Sequence, residues 1–185
     1  MSLKLKRGGS VFLDACCLIN LFATGRIEEV LHALPFRFAV SRYVIDHEIL
    51  RVFAEGTSRR FRQLDLDLLT SSELLVVEDL ASNDELAEFV RFATVLDDGE
   101  ASICALAMTR GGAVATDDRK ALRTLRERVP SAPTLQTPEL IYRWVQACTV
   151  SRAEISRVLS AVRDQARFVP RKQAPHSDWW AEHLG

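Results

Sequence analysis

Short apolar runs alternate along this chain with longer stretches in which apolar residues return every three or four positions. Ser10 to Leu13 reads as a first buried strand. Ala15 to Ala23 places apolar side chains at Cys16, Leu18, Ile19, Leu21 and Phe22, which predicts a short buried helix ended by Thr24-Gly25. A second helix runs through Glu28-Glu29-Val30-Leu31 and stops before Pro35, and Phe36 to Val40 is a second strand. Ser41 then caps a predicted helix from Arg42 to Ala54, whose apolar positions Val44, Ile45, Ile49, Leu50 and Phe53 recur at helical spacing and which Gly56 terminates. Arg59 to Leu69 reads as a further helix, and Leu74-Leu75-Val76-Val77 as a short or edge strand.

Capping chemistry punctuates the second half. Ser82-Asn83-Asp84-Glu85 matches a capping box and opens a helix to about Val95. Asp98 is the expected cap of the next helix, which runs through Met108. Gly111-Gly112 turns the chain into a strand from Ala113 to Thr116, followed by a helix from Asp118 to Glu127. Thr134-Leu135 is a last short strand, and Thr137-Pro138-Glu139 opens a helix with proline in its first turn. Ser151-Arg152-Ala153-Glu154 is a second capping box, for a helix to about Ala166, and Pro170 to Gly185 shows no period. Strands alternating with helices predict an α/β fold with a parallel sheet covered on both faces.

Acidic residues stand where these strands end. Asp14 closes Val11-Phe12-Leu13, and Asp117-Asp118 closes Ala113 to Thr116. Glu48 lies about two helical turns past the second strand, and Glu100 follows Asp97-Asp98-Gly99. Ligands of parallel α/β sheets bind beyond the carboxyl ends of the strands. Carboxylates converging there repel one another until a cation neutralises them, and hard oxygen ligands select Mg²⁺ or Mn²⁺. Each acid also has a plainer role: Asp14, Asp98 and Asp118 are natural helix caps, Glu100 favours a helix N-terminus, and Glu48 could be a surface charge. As a convergent set, Asp14, Glu48, Glu100 and Asp117 are the expected metal ligands, with Asp98 and Asp118 as further candidates and Asp97 competing for the third position. Neutralising one of them, for instance Asp117→Asn, should then leave the metal-free protein as stable or more so.

Composition narrows the setting. Twenty-four basic against 25 acidic residues exclude a polycation, so nucleic-acid binding would need a local patch. Two are present, Arg59-Arg60-x-Arg62 and Arg119-Lys120-x-x-Arg123. No apolar stretch is long enough to span a bilayer, and the basic N-terminus lacks the apolar core of a signal peptide, so no membrane partner and a cytoplasmic location are expected. The four cysteines form no Cys-x-x-Cys pair, which argues against zinc and reads them as small buried side chains.

With these residues in view, the chain resembles PIN-domain nucleases. The resemblance rests on Val11-Phe12-Leu13-Asp14-Ala15-Cys16-Cys17-Leu18-Ile19-Asn20-Leu21, Glu48, Asp98-Gly99-Glu100-Ala101 and Ala115-Thr116-Asp117-Asp118-Arg119-Lys120-Ala121, in the family's order and approximate spacing. It implies a PIN-like three-layer α/β/α domain over residues 10–148, with 149–185 as a C-terminal helical extension. It also implies a Mg²⁺- or Mn²⁺-dependent endoribonuclease with Asp14, Glu48, Glu100 and Asp117 as catalytic acids. Asn20 and Thr116 fit accessory polar positions, and Arg119, Lys120, Arg123, Arg59, Arg60 and Arg62 are candidate RNA contacts. Small bacterial members of VapC type are toxins held by a cognate antitoxin and often dimeric, so RNA, an antitoxin and a second copy are the implied partners. The extension, with Trp179-Trp180, has no counterpart in the resemblance. A PIN-like binding or scaffold module without turnover is the alternative reading.

Overall fold

β-Branched and aromatic residues at Val11, Phe12, Phe38, Val40, Val76 and Val114 form the centre of a five-stranded, all-parallel sheet in the computed structural model, which describes residues 8–57 and 59–184. The basic stretch 1–7 lies outside the described residues. The order of elements is β1 (Ser10–Leu13), α1 (Ala15–Ala23), α2 (Ile27–Ala33), β2 (Arg37–Ser41), α3 (Arg42–His47), β3 (Arg51–Phe53), β4 (Phe61–Gln63), α4 (Asp67–Ser71) and β5 (Leu75–Glu78). Then follow α5 (Asn83–Ala93), α6 (Asp98–Arg110), β6 (Ala113–Ala115), α7 (Arg119–Arg128), β7 (Thr134–Leu135), α8 (Thr137–Cys148), α9 (Arg152–Gln165) and α10 (Ser177–His183). The sheet order is β5-β2-β1-β6-β7, with helices flanking it as a three-layer α/β/α fold. The strand expected at an edge, β5, is the edge.

The chain builds outward from β1 through β2 to β5, then returns to the other side of β1 with β6 and β7. The switch point therefore lies between β1 and β6, and the crevice of such a sheet opens there. Phe12 pairs with Val114 and Leu13 with Ala115, which puts Asp14 and Thr116 side by side at the carboxyl edge. Helix α6 packs against β1, β2 and β6, and everything from Gly99 to Ala107 is buried, so its start is anchored in the core beside that edge.

Two predicted helices give way to other structure. The helix expected over Arg42 to Ala54 keeps its Ser41 cap, whose Oγ accepts from Val44 N, but ends at His47. Helical spacing would have buried Ile49; instead Ile49 is 66% exposed while Leu50 and Val52 are buried and Arg51 points out. That alternation is a strand. β3 pairs antiparallel with β4, and the chain turns back through Gly56 at φ 70°, a left-handed conformation that glycine adopts without steric cost. The helix expected over Arg59 to Leu69 is thereby replaced by β4 and the short α4.

The C-terminal segment joins the same core. Ile155, Val158, Leu159 and Val162 of α9 are buried in one cluster with the strands, and so is Trp180 of α10, against whose ring Phe168 packs edge-on. Trp179 is half-buried against Tyr142 of α8. The unreadable stretch after Pro170 thus contains a helix held by an aromatic anchor. The Ser151 cap forms, but Glu154 pairs with Arg26 on the far side of the chain, so the second capping box is not reciprocal. Among the described residues, no helix is long and apolar enough to cross a membrane.

Candidate metal centre

Asp14 leaves β1 in extended conformation and caps α1, its Oδ1 accepting from Ala15 N at 2.7 Å. Its Oδ2 accepts from the Thr116 hydroxyl at 2.8 Å and from the Cys16 thiol at 2.9 Å. The carboxylate is thus oriented from both strands of the switch point. Burial pushes its pKa up, against these hydrogen bonds, and the charge of Asp97 pushes the same way.

The cap of α6 is Asp97, one residue earlier than the expected Asp98. Its Oδ1 accepts from Glu100 N at 2.8 Å. Asp98 turns instead to the Tyr43 hydroxyl at 3.0 Å. Glu100, 8% exposed, is pushed up to about 8, first by burial and then by Asp97, Asp118 and Asp14. Glu48, at the end of α3, is also raised, by burial, then by Asp97 and Asp14, with His47 opposing. Its carboxylate reaches α6 through Gly99: a Cβ there would lie 2.5 Å from Glu48 Oε1. Glycine at 99 is thus the space that admits Glu48.

Asp14, Glu48, Asp97, Glu100 and Asp118 therefore act on one another as a mutually repelling set. Among the described residues, no lysine or arginine pairs with any of them. Nor does any protein donor reach the carboxylates of Glu48 and Glu100 there. These acids offer oxygen donors only, the kind a hard divalent cation prefers, but among the described residues no three of them bring ligand atoms within 4.8 Å of one another.

Asp117 is held by protein donors. Its Oδ2 accepts from Asn20 Nδ2 at 3.0 Å, from the Thr137 hydroxyl and from the Cys17 thiol at 3.4 Å, and its Oδ1 from Thr137 N at 3.1 Å. Four donors hold it as a tie between α1, the end of β6 and α8, and it is not among the neighbours that raise Glu48 or Glu100. Asp118 caps α7 through Lys120 N and Ala121 N. Of the four acids expected together, Asp14 raises both Glu48 and Glu100, with Asp97 acting on all three and Asp118 on Glu100, while Asp117 joins Cys16 and Cys17 in the close grouping of ligand atoms among the described residues. Asn20 and Thr116 serve it differently: Thr116 orients Asp14, while Asn20 orients Asp117.

The adjacent cysteines are largely buried, as expected, and their thiols also bond to the acids. Burial raises the Cys17 thiol well above the usual range. Cys17 pulls the Cys16 thiol down, but burial and the charges of Asp14 and Asp117 leave it raised. Both stay protonated and donate to the acids. With Asp117 they form a group whose ligand atoms all lie within 4.8 Å of one another, a softer set than the acid cluster. Their position in the first turn after Asp14 was the available signal. Arg119, Lys120 and Arg123 lie exposed on α7 beside Asp118, whereas Arg59, Arg60 and Arg62 lie on the β3–β4 hairpin rather than on a helix.

No protein-family model matches the chain, and a search of curated proteins finds no match.

Proposed function

We propose that this chain is a divalent-metal-dependent endoribonuclease of PIN type, used as the toxin of a type II toxin–antitoxin pair. The observation that carries the reading is the mutual repulsion of Asp14, Glu48, Asp97 and Glu100 at the switch point, with no lysine or arginine paired to them among the described residues and only His47 opposing it at Glu48. Asp14, Glu48 and Glu100, with Asp97 beside them, would hold Mg²⁺ or Mn²⁺. Such an ion supplies charge neutralisation and a water acidic enough to attack a phosphodiester. Thr116 and Cys16 fix the Asp14 carboxylate for this task, and Gly99 leaves room for Glu48. Glu100 carries its proton at neutral pH in the metal-free protein and releases it when a cation enters. Asp117 acts at one remove, fastening α1 and α8 around the site. Arg119, Lys120 and Arg123 lie where the phosphate backbone would pass, and phosphate contacts supply much of nucleic-acid affinity.

Cleavage of a mixed RNA pool by purified protein tests the reading. Cuts are expected with Mn²⁺ or Mg²⁺, and none with EDTA or in Asp14→Asn. Cuts that survive Asp14→Asn would refute it. The toxin role predicts growth arrest on expression, relieved by the same substitution. The four donors on Asp117 favour one second reading, a binding module without turnover; such a module predicts no cleavage under any metal.

A further inference from the structure

The β3–β4 hairpin follows Glu48 directly: Leu50 N bonds to Glu48 O, and Leu50 O receives Leu64 N where the hairpin closes. Its inner side carries Val52, which is buried, opposite Arg62, whose guanidinium lies 4.8 Å from the centre of the Phe22 ring on α1. Asp14 begins that helix, eight residues earlier, so the hairpin lies about 12 Å along α1 from the metal centre.

The outer side of the hairpin bears Arg51 and Phe53 opposite Gln63 and Phe61. The Arg51 guanidinium sits 3.9 Å from the Phe61 ring centre, the two phenylalanine rings are 4.6 Å apart at 35°, and Arg167 lies 4.6 Å from the Phe53 ring centre. Arginine, phenylalanine, phenylalanine and arginine thus form a ladder on the surface, with Phe61 48% exposed. Arg167 reaches it from a left-handed backbone at φ 57°, a conformation costly for a residue with a Cβ. A groove of about 460 Å³ opens alongside, between the hairpin turn and α9, lined by Arg157 and Arg167 and also by the acids Glu55 and Asp164. Among the described residues, none of Arg51, Arg59, Arg60, Arg62 and Arg167 makes an ion pair, although ten such pairs form elsewhere.

Arg51 and Arg167 flank the stacked rings, with Arg59 and Arg60 near the hairpin turn, and together they complement a strand that is anionic along its backbone and flat in its bases. Unpaired bases stack on aromatic rings and on guanidinium planes alike, whereas duplex RNA keeps its base faces stacked inside the helix. We infer that the outer face of the β3–β4 hairpin is a binding subsite for single-stranded RNA, feeding the strand to the acid cluster. The inference rests on the nuclease reading for what happens next, but binding itself can be measured without it.

The test is fluorescence anisotropy of a labelled oligouridine, and of a labelled duplex of equal length, with the full chain in EDTA. The single strand should bind more tightly than the duplex and weaken with added salt. Phe61→Ala should weaken it by at least about 5-fold, Phe61→Tyr should restore it, and Arg51→Ala should weaken it while leaving the ring pair in place. Equal affinity of Phe61→Ala and wild type, or equal binding of single strand and duplex, would overturn the inference. The two readings fail separately. A protein that never cleaves but loses oligouridine with Phe61→Ala keeps the subsite and loses the nuclease. A protein that cleaves RNA with unchanged KM in Phe61→Ala and Arg51→Ala keeps the nuclease and loses the subsite.

Discussion

Glu100→Gln should make the metal-free protein more stable at neutral and alkaline pH. The ordinary value for the Glu100 carboxyl is 4.5, and in the fold it is pushed up to about 8 by burial and by Asp97, Asp118 and Asp14. Between those two values the folded state binds a proton that the unfolded chain has released. Stability therefore falls as pH rises through the interval, with no loss below about 4.5 and the full loss above about 8. At about 1.4 kcal/mol per tenfold change, the ceiling on that loss is on the order of 5 kcal/mol, and water entering the cleft leaves a few kcal/mol realised. Asp14 and Glu48 are raised as well and add with the same sign. Glutamine keeps the shape, keeps the Glu100 backbone N–H on Asp97, and removes the charge. Urea denaturation in EDTA at several pH values measures the effect. Wild type should lose stability from about pH 5 to about pH 8 and Glu100→Gln much less, so that the variant is the more stable protein at the upper end. Saturating Mn²⁺ should reverse the ranking, since a ligand at about 100 times its Kd adds about 2.7 kcal/mol to the state that binds it. A metal-free wild type whose midpoint is flat across this range would refute the reasoning.

Gly99→Ala should lower Mn²⁺ affinity by calorimetry while leaving or raising stability, because the new methyl displaces only the mobile end of Glu48 and alanine favours helix by about 1 kcal/mol. Asp117→Asn sets two effects against each other. Burial raises this carboxyl too, so removing its charge is favourable. But Asp117 accepts on both oxygens and an amide has only one, and that loss should dominate, costing about 1–3 kcal/mol in urea melts. This replaces the sequence-based expectation that neutralising Asp117 is harmless. Trp180→Ala should cost about 3–5 kcal/mol by the same assay, since the ring is fully buried in the common core; a loss under about 1 kcal/mol would detach α10 from it.

The parts of the fold that read correctly from sequence are those set by local chemistry. The Ser82 box, the Ser41 cap and the left-handed Gly111 stop need only neighbours in the chain. The hairpin did not read, because Val44, Ile45, Ile49, Leu50 and Phe53 fit a helical stripe as well as Leu50 and Val52 fit a strand. What decides between them is a partner strand ten residues on, Phe61 against Phe53. Asp14, Glu48 and Glu100 were legible as a set because strand ends predict where the crevice is. The donors that hold Asp117 were not, because two of them come from Thr137 at the start of α8. Asp97 had one local signal, a glutamate three residues on, the spacing of an acidic cap.

Capping and charge clustering coincide in these aspartates. Asp14 caps α1, Asp97 caps α6 and Asp118 caps α7, so three helix N-termini open onto the same crevice. Each N-terminus carries roughly half a positive charge and unsatisfied N–H groups, which offset part of the repulsion among carboxylates that no lysine or arginine balances among the described residues. The offset is incomplete where it is most informative. Glu100 lies in the first turn of α6, a position that should favour its ionised form, yet burial and three neighbouring acids still raise it to about 8. The helix ends let the acids assemble without unfolding the protein, and the charge they leave uncompensated is the free energy that a divalent cation would recover on binding.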